Sequence, residues 1–166
     1  MRLFVSLRPS PDAVAHLAAA LSDCRTSAPD QWHVTLAFLG DTTVPEELYA
    51  GLRATAEGTL PFALQLAGSG VFAGARVVWT GLGGDVDALT ALASDIQDAC
   101  RGAGLAVERR RFQPHLTVGR TSRIDPALLS DYAGPPWQVR AIELVHSVLG
   151  RQATHTVLER FPLYQA

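Results

Sequence analysis

His33-Val34-Thr35-Leu36 and His115-Leu116-Thr117-Val118 write the same pattern twice: histidine, aliphatic residue, threonine, aliphatic residue. In an extended strand successive side chains point to opposite faces, so a residue and the one two places on share a face. Each stretch therefore presents an imidazole beside a hydroxyl, while its aliphatic residues turn the other way, toward a core. One such pair carries little information, because histidine–threonine pairs arise by chance and a buried histidine is usually a hydrogen-bonded core residue. Two pairs in apolar strands, facing each other across a cleft, make a symmetric acid/base site with two hydroxyl donors.

Working outward from the first motif, Trp32 to Leu39 reads as one strand ended by Gly40-Asp41. Strict alternation puts His33, Thr35, Ala37 and Leu39 on one face and Val34, Leu36 and Phe38 on a core face. Ahead of it lie a strand from Arg2 to Leu7 and an amphipathic helix from Ala13 to Cys24, with His16 as a solvated helix residue. After it, Val44 to Glu57 reads as a helix with Thr43 as its cap and Pro45 in the first turn. Phe62 to Ala67 and Arg76 to Leu82 are strands. Gly68 and Gly70 between them fit turns and bulges rather than a dinucleotide fingerprint. Asp85 to Gly102 is the clearest helix, with apolar positions at Leu89, Leu92, Ala93, Ile96 and Cys100. A short strand from Ala106 to Arg109 is expected before the second motif strand, His115 to Gly119. A brief helix from Asp125 to about Leu129 and two strands, Gln138 to Leu149 and Thr154 to Leu163, finish the chain. Strands and helices in this order make an α+β fold, and the strand-helix-strand prelude to each motif reads as an internal duplication folded into two lobes.

Composition narrows the chemistry. The 166 residues are 48% hydrophobic, enough for one domain with a substantial core. A formal net charge of −2 argues against broad, salt-dependent adhesion to nucleic acid, though not against recognition of a single phosphate or a nucleic-acid end. All 14 basic residues are arginine, a bias that codon usage in a GC-rich genome explains. The absence of lysine rules out a Schiff-base lysine, a phosphate-loop lysine and a lysyl-nucleotide intermediate. Cys24 and Cys100 lack the close spacing of zinc or redox pairs and read as free thiols in a reducing cytosol. No apolar run reaches the length of a membrane span, so the expected location is cytoplasmic.

Neutral histidine accepts a proton and histidinium donates one, both near neutral pH. Two histidines flanking a phosphorus can activate water on one side and protonate the leaving oxygen on the other. Threonine hydroxyls can donate to the non-bridging oxygens as charge grows there. This inventory calls for no metal and no cofactor, and it suits a phosphodiester with an alkoxide leaving group. By symmetry, the residues alone do not say which histidine is acid and which is base.

The chain resembles the two-histidine phosphoesterases, and within them the RNA 2′,3′-cyclic phosphodiesterases, also named 2′-5′ RNA ligases. Five segments carry the resemblance: Met1-Arg2-Leu3-Phe4-Val5, Trp32 through Gly40, Ala75-Arg76-Val77-Val78-Trp79, Arg111 through Arg120, and Phe161-Pro162-Leu163. It implies one domain over residues 1–166, bilobal and α+β, with two pseudo-symmetric lobes of antiparallel sheet and outer helices around a central cleft. It also implies hydrolysis of 2′,3′-cyclic phosphate ends of RNA or nucleotides to 2′-phosphomonoesters, with ligation as the reverse reaction. His33 would donate a proton to the departing 3′-oxygen, His115 would activate water, and Thr35 and Thr117 would hold the phosphate. The implied protein is a monomer that needs no cofactor. Two alternatives stand beside this reading: action on another small cyclic phosphate, such as a nucleotide or ADP-ribose derivative, and capture of RNA ends without turnover.

Further positions bear on the site or stand apart from it. Arg120 is a candidate phosphate or substrate contact. Strict alternation puts it on the face opposite His115, so it reaches the cleft only if the strand bends at Gly119. Arg109-Arg110-Arg111 reads as a solvated run, and Trp32 and Phe4 as core residues. His155 sits between two threonines, so its imidazole and their hydroxyls face opposite ways and do not repeat the motif; His146 reads as structural.

Overall fold

The computed structural model describes residues 1–108, 111–151 and 153–166. In chain order its elements are β1 (Arg2–Leu7), α1 (Pro11–Ala20), a 3-10 turn (Pro29–Gln31), β2 (Val34–Asp41), α2 (Glu46–Glu57), β3 (Phe62–Phe72), β4 (Val77–Gly84) and α3 (Val86–Gly102). Then follow β5 (Leu116–Arg120), a second 3-10 turn (Pro126–Leu129), β6 (Trp137–Val139), β7 (Ala141–Val148) and β8 (Thr154–Pro162). The strands pair into two antiparallel four-stranded sheets, ordered β2-β1-β7-β8 and β5-β4-β3-β6. This is the bilobal α+β architecture that the sequence predicts. Each motif strand is an edge of its own sheet, paired with β1 in one lobe and β4 in the other.

The helices follow from local chemistry. Ser10 caps α1 by accepting from the Ala13 amide, and Asp85 caps α3 by accepting from the Ala88 amide. The second helix starts later than expected: Pro45, not Thr43, holds the capping position, because a proline disfavours helical backbone in the residue before it. The first helix ends at Ala20 and the chain continues as a turn rather than helix to Cys24. α2 and α3 pack against each other and cover the first sheet, α3 over β2 and α2 over β8. Since α3 precedes the second motif in the chain, the two lobes are interleaved.

Two expected strands differ. The stretch read as one strand from Gln138 to Leu149 divides at Arg140: β6 pairs with β3 in the second sheet, and β7 with β1 in the first. The buried positions change phase there, from Trp137 and Val139 to Ile142 and Leu144, so the chain hands its apolar face from one lobe to the other. Residues 106–108 of the expected strand at Ala106 are irregular, and Arg109 and Arg110 lie outside the described residues. Leu105 and Val107 instead pack against the core as partly buried side chains.

Strict alternation fails at the same point in both motif strands. In β2, Val5 faces Ala37 and Ser6 faces Thr35, leaving Leu36 as an extra residue; a second shift between Leu3 and Phe4 leaves Leu39 extra. A bulge of this kind puts two residues against one and turns the strand. Consequently Leu36 and Ala37 are both buried, Leu39 is buried, and Phe38, expected in the core, is 43% exposed. In β5, Trp79 faces Thr117 and Val78 faces Gly119, leaving Val118 extra. Directly opposed residues share a face. Arg120, opposite Val77, therefore falls on the face of Trp79 and Thr117, the side that strict alternation denied it.

Another bulge lies in β3, between Ala67 and Gly70, where Gly68 takes a φ of 70°. Here Gly70 lies directly under the Trp79 indole, so that a Cβ on it would run into the ring. Gly70→Ala is expected to cost about 1–3 kcal/mol through overpacking, read as a lower urea midpoint with altered tryptophan emission. An unchanged midpoint would mean the indole moves aside without cost.

Candidate functional site

His33 immediately precedes β2 and His115 immediately precedes β5, and each follows a glutamine by two residues. The Nδ1 of His33 lies 2.8 Å from the backbone oxygen of Gln31, and the Nδ1 of His115 lies 2.7 Å from that of Gln113. A carbonyl only accepts, so each Nδ1 carries the hydrogen and donates it, leaving Nε2 as the reactive nitrogen. The recurrence of Gln-x-His-x-Thr in both motifs is visible in the sequence, yet the interaction uses the backbone and not the glutamine side chain. His33, Thr35, His115 and Thr117 all line one cavity of about 820 Å³.

The two imidazoles share a tautomer but not a setting. His33 stacks on Phe4 with ring centroids 4.7 Å apart, and His155 meets its ring edge-on at 5.1 Å. Burial lowers the His33 pKa to about 4, although the Gln31 hydrogen bond pulls the other way; His155, Arg8 and His115 add unfavourable positive charge. Phe4 is buried as expected, but it serves as the floor of this imidazole. His115 instead meets Phe72 edge-on at 4.8 Å, with Trp79 behind at 6.1 Å. Trp32 is buried, and its indole N–H donates to Ser27 Oγ at 3.0 Å.

His155, which the sequence set aside only as a copy of the motif, lies at the site. It does not repeat the motif, but β8 carries it to the cavity, where it touches His33 and Phe4. Burial and Arg8 lower its pKa. Nothing local marks it, since its position comes from the order of strands in the first sheet. Arg120 lines the same cavity, and so do Arg25, Arg123 and Arg151, which sequence reasoning missed. Arg25 belongs to a loop held to the second motif strand, where Ser27 N donates to the bulged Val118 carbonyl at 2.9 Å and Ser27 Oγ does so at 3.2 Å. Among the described residues, no carboxylate lines this cavity and no three His, Cys, Asp or Glu side chains gather as a metal donor set. Cys100 is buried and its thiol pushed up to about 11, away from thiolate chemistry.

Residues 11–151 match the family described as the 2′-5′ RNA ligase superfamily. The chain belongs to this superfamily. A Geobacillus stearothermophilus protein named RNA 2′,3′-cyclic phosphodiesterase is 28% identical over 98% of this chain, a match that takes in 57% of that relative's own length. An Archaeoglobus fulgidus protein of the same name is 30% identical, covering 90% of this chain and 92% of the relative. Among solved structures, Escherichia coli LigT complexed with 3′-AMP superposes with a TM-score of 0.78 at 25% identity, covering 99% of this chain and 98% of LigT. Among the described residues of this superfamily member, no helix is long and apolar enough to cross a membrane.

The lowered pKa of His33 has a thermodynamic consequence. An imidazole that titrates near 6.5 when unfolded and near 4 when folded makes the unfolded state bind the extra proton. Its contribution to stability is complete above pH 6.5 and is lost as pH falls through 4. The loss is expected to be on the order of 3 kcal/mol. Urea midpoints measured between pH 7 and 4 should fall more steeply for the wild type than for His33→Gln; equal slopes would contradict the assignment.

Proposed function

We propose that this protein hydrolyses the 2′,3′-cyclic phosphate at RNA ends or on nucleotides, producing a 2′-phosphomonoester, with 2′-5′ ligation when a 5′-hydroxyl attacks in place of water. The observation that carries the proposal is the matched pair of carbonyl-locked imidazoles, each with Nε2 free, in one cleft with two threonines. The names of the relatives support the same reaction.

In this reading the cyclic phosphate lies between the two Nε2 atoms. His115 takes a proton from water as the water oxygen attacks phosphorus, and the bond to the 3′-oxygen breaks as His33 delivers a proton to it. The Thr35 and Thr117 hydroxyls donate to the non-bridging oxygens, and the Arg120 guanidinium adds positive charge. His33 is neutral in the empty cleft, so the proton it donates must be taken up with substrate. A phosphodiester anion against Nε2 favours the imidazolium, opposing the desolvation that depresses it. We take the enzyme to act as a monomer in the cytoplasm.

His33→Ala and His115→Ala are each expected to slow hydrolysis of a 2′,3′-cyclic nucleotide by about 100-fold or more, while wild-type activity persists in excess chelator. Activity lost to chelator and restored by zinc would overturn the mechanism. The pH profiles should differ in a defined way. The limb that reports His33 is expected at higher pH in kcat, which reads the complex, than in kcat/KM, which reads the free protein. Coincident limbs would rule out substrate-assisted protonation of His33.

A further inference from the structure

Beyond Thr35 and His115 the cleft continues into a second groove of about 550 Å³, lined by Phe38, Phe72, Ala75, Val107 and Phe112. Thr35 and His115 line both spaces; His33 and the four arginines Arg25, Arg120, Arg123 and Arg151 line only the first. The two mouths differ in chemistry. One is cationic, while the other is mainly apolar and aromatic, with Glu108 and Arg111 as side chains of opposite charge. We propose that the apolar groove is the subsite for a second nucleoside, the one whose free 5′-hydroxyl attacks the cyclic phosphate in ligation.

The inference rests on the cyclic-phosphate reading above and goes beyond it, because hydrolysis needs only water on the attacking side. An RNA strand ending in a cyclic phosphate carries a phosphate at every preceding nucleotide, and it fits the arginine-lined mouth. The attacking nucleoside has no phosphate on its 5′ side and fits a space whose described lining holds one acidic and one basic side chain. Phe38 and Phe72 offer apolar rings on which a base can stack. The groove falls within the range of about 300–1,000 Å³ usual for small-ligand sites. Its position also agrees with the roles proposed for the two histidines. The 5′-oxygen gives its proton to His115 Nε2 as the new P–O5′ bond forms. The P–O3′ bond breaks, and O3′ takes its proton from His33 Nε2. The product is a 2′-5′ linkage with a free 3′-hydroxyl, and no nucleotide is consumed. Cleavage of a 2′-5′-linked dinucleotide is the same path in reverse, with the departing nucleoside in the same groove.

The test compares two reactions of the full chain, hydrolysis of 2′,3′-cyclic CMP and cleavage of a 2′-5′-linked dinucleotide. Ala75 and Phe38 are both exposed, so changing them leaves the core intact. Ala75→Trp, which fills the groove, and Phe38→Ala, which strips its wall, are each expected to lower kcat/KM for the dinucleotide by roughly tenfold or more. Hydrolysis of the cyclic mononucleotide should stay within about twofold. A parallel fall in both reactions, or no change in either, overturns the subsite. So does a wild type that hydrolyses the cyclic mononucleotide but does not cleave the dinucleotide. A wild type inactive on both substrates removes the underlying reading itself.

Discussion

A hydrogen bond from an imidazole Nδ1 to the backbone oxygen two residues earlier, made at His33 and again at His115, is the constraint on which the cleft depends. Without it each ring could turn or change tautomer, and neither Nε2 would be committed to chemistry. The bond is cheap to encode, since any residue supplies a carbonyl. At His33 the 3-10 turn Pro29–Gln31 leads into it, and at His115 the irregular Phe112-Gln113-Pro114 segment does. Two unlike local structures thus deliver one interaction.

The symmetry ends at that bond. His33 rests half-buried on a phenyl ring and against a third histidine, whereas His115 stands against Phe72 and Trp79 at the junction of a cationic space and an apolar one. A duplicated motif would make two interchangeable groups if nothing else acted on them. Packing makes them different, because desolvation disfavours the charged form of one imidazole in the empty cleft. The difference between the two imidazole settings is therefore a property of the surrounding core and not of the motif.

Much of this was legible in the sequence. Period-two placement of His33 with Thr35 and His115 with Thr117, the amphipathic spacing of α3, and the bulge chemistry of Gly68 and Gly70 all act locally, so local reading finds them, although β3 runs on through the bulge to Phe72 instead of ending at Ala67. What escaped shares one physical origin: register. The side on which Arg120 and Phe38 emerge depends on Val118, Leu36 and Leu39 being extra residues against β4 and β1. The division of the stretch after Gln138 likewise depends on partners in two sheets. His155 needed the strand order of the first sheet to be known. Periodicity within a strand cannot reveal a mismatch with its neighbour.

The bulges carry one more implication. β2 and β5 are edge strands, and an open edge with free amides and carbonyls is a template on which another chain can add a strand. Enzymes that place their reactive groups on such edges risk association through the same surface that meets substrate. Here the extra residues Leu36 and Val118 interrupt the ladder beside each threonine, and an interrupted, twisted ladder is a poor template for a regular partner strand. The irregularity that turns Arg120 toward the cleft thus also makes each edge a poor template for edge-to-edge pairing.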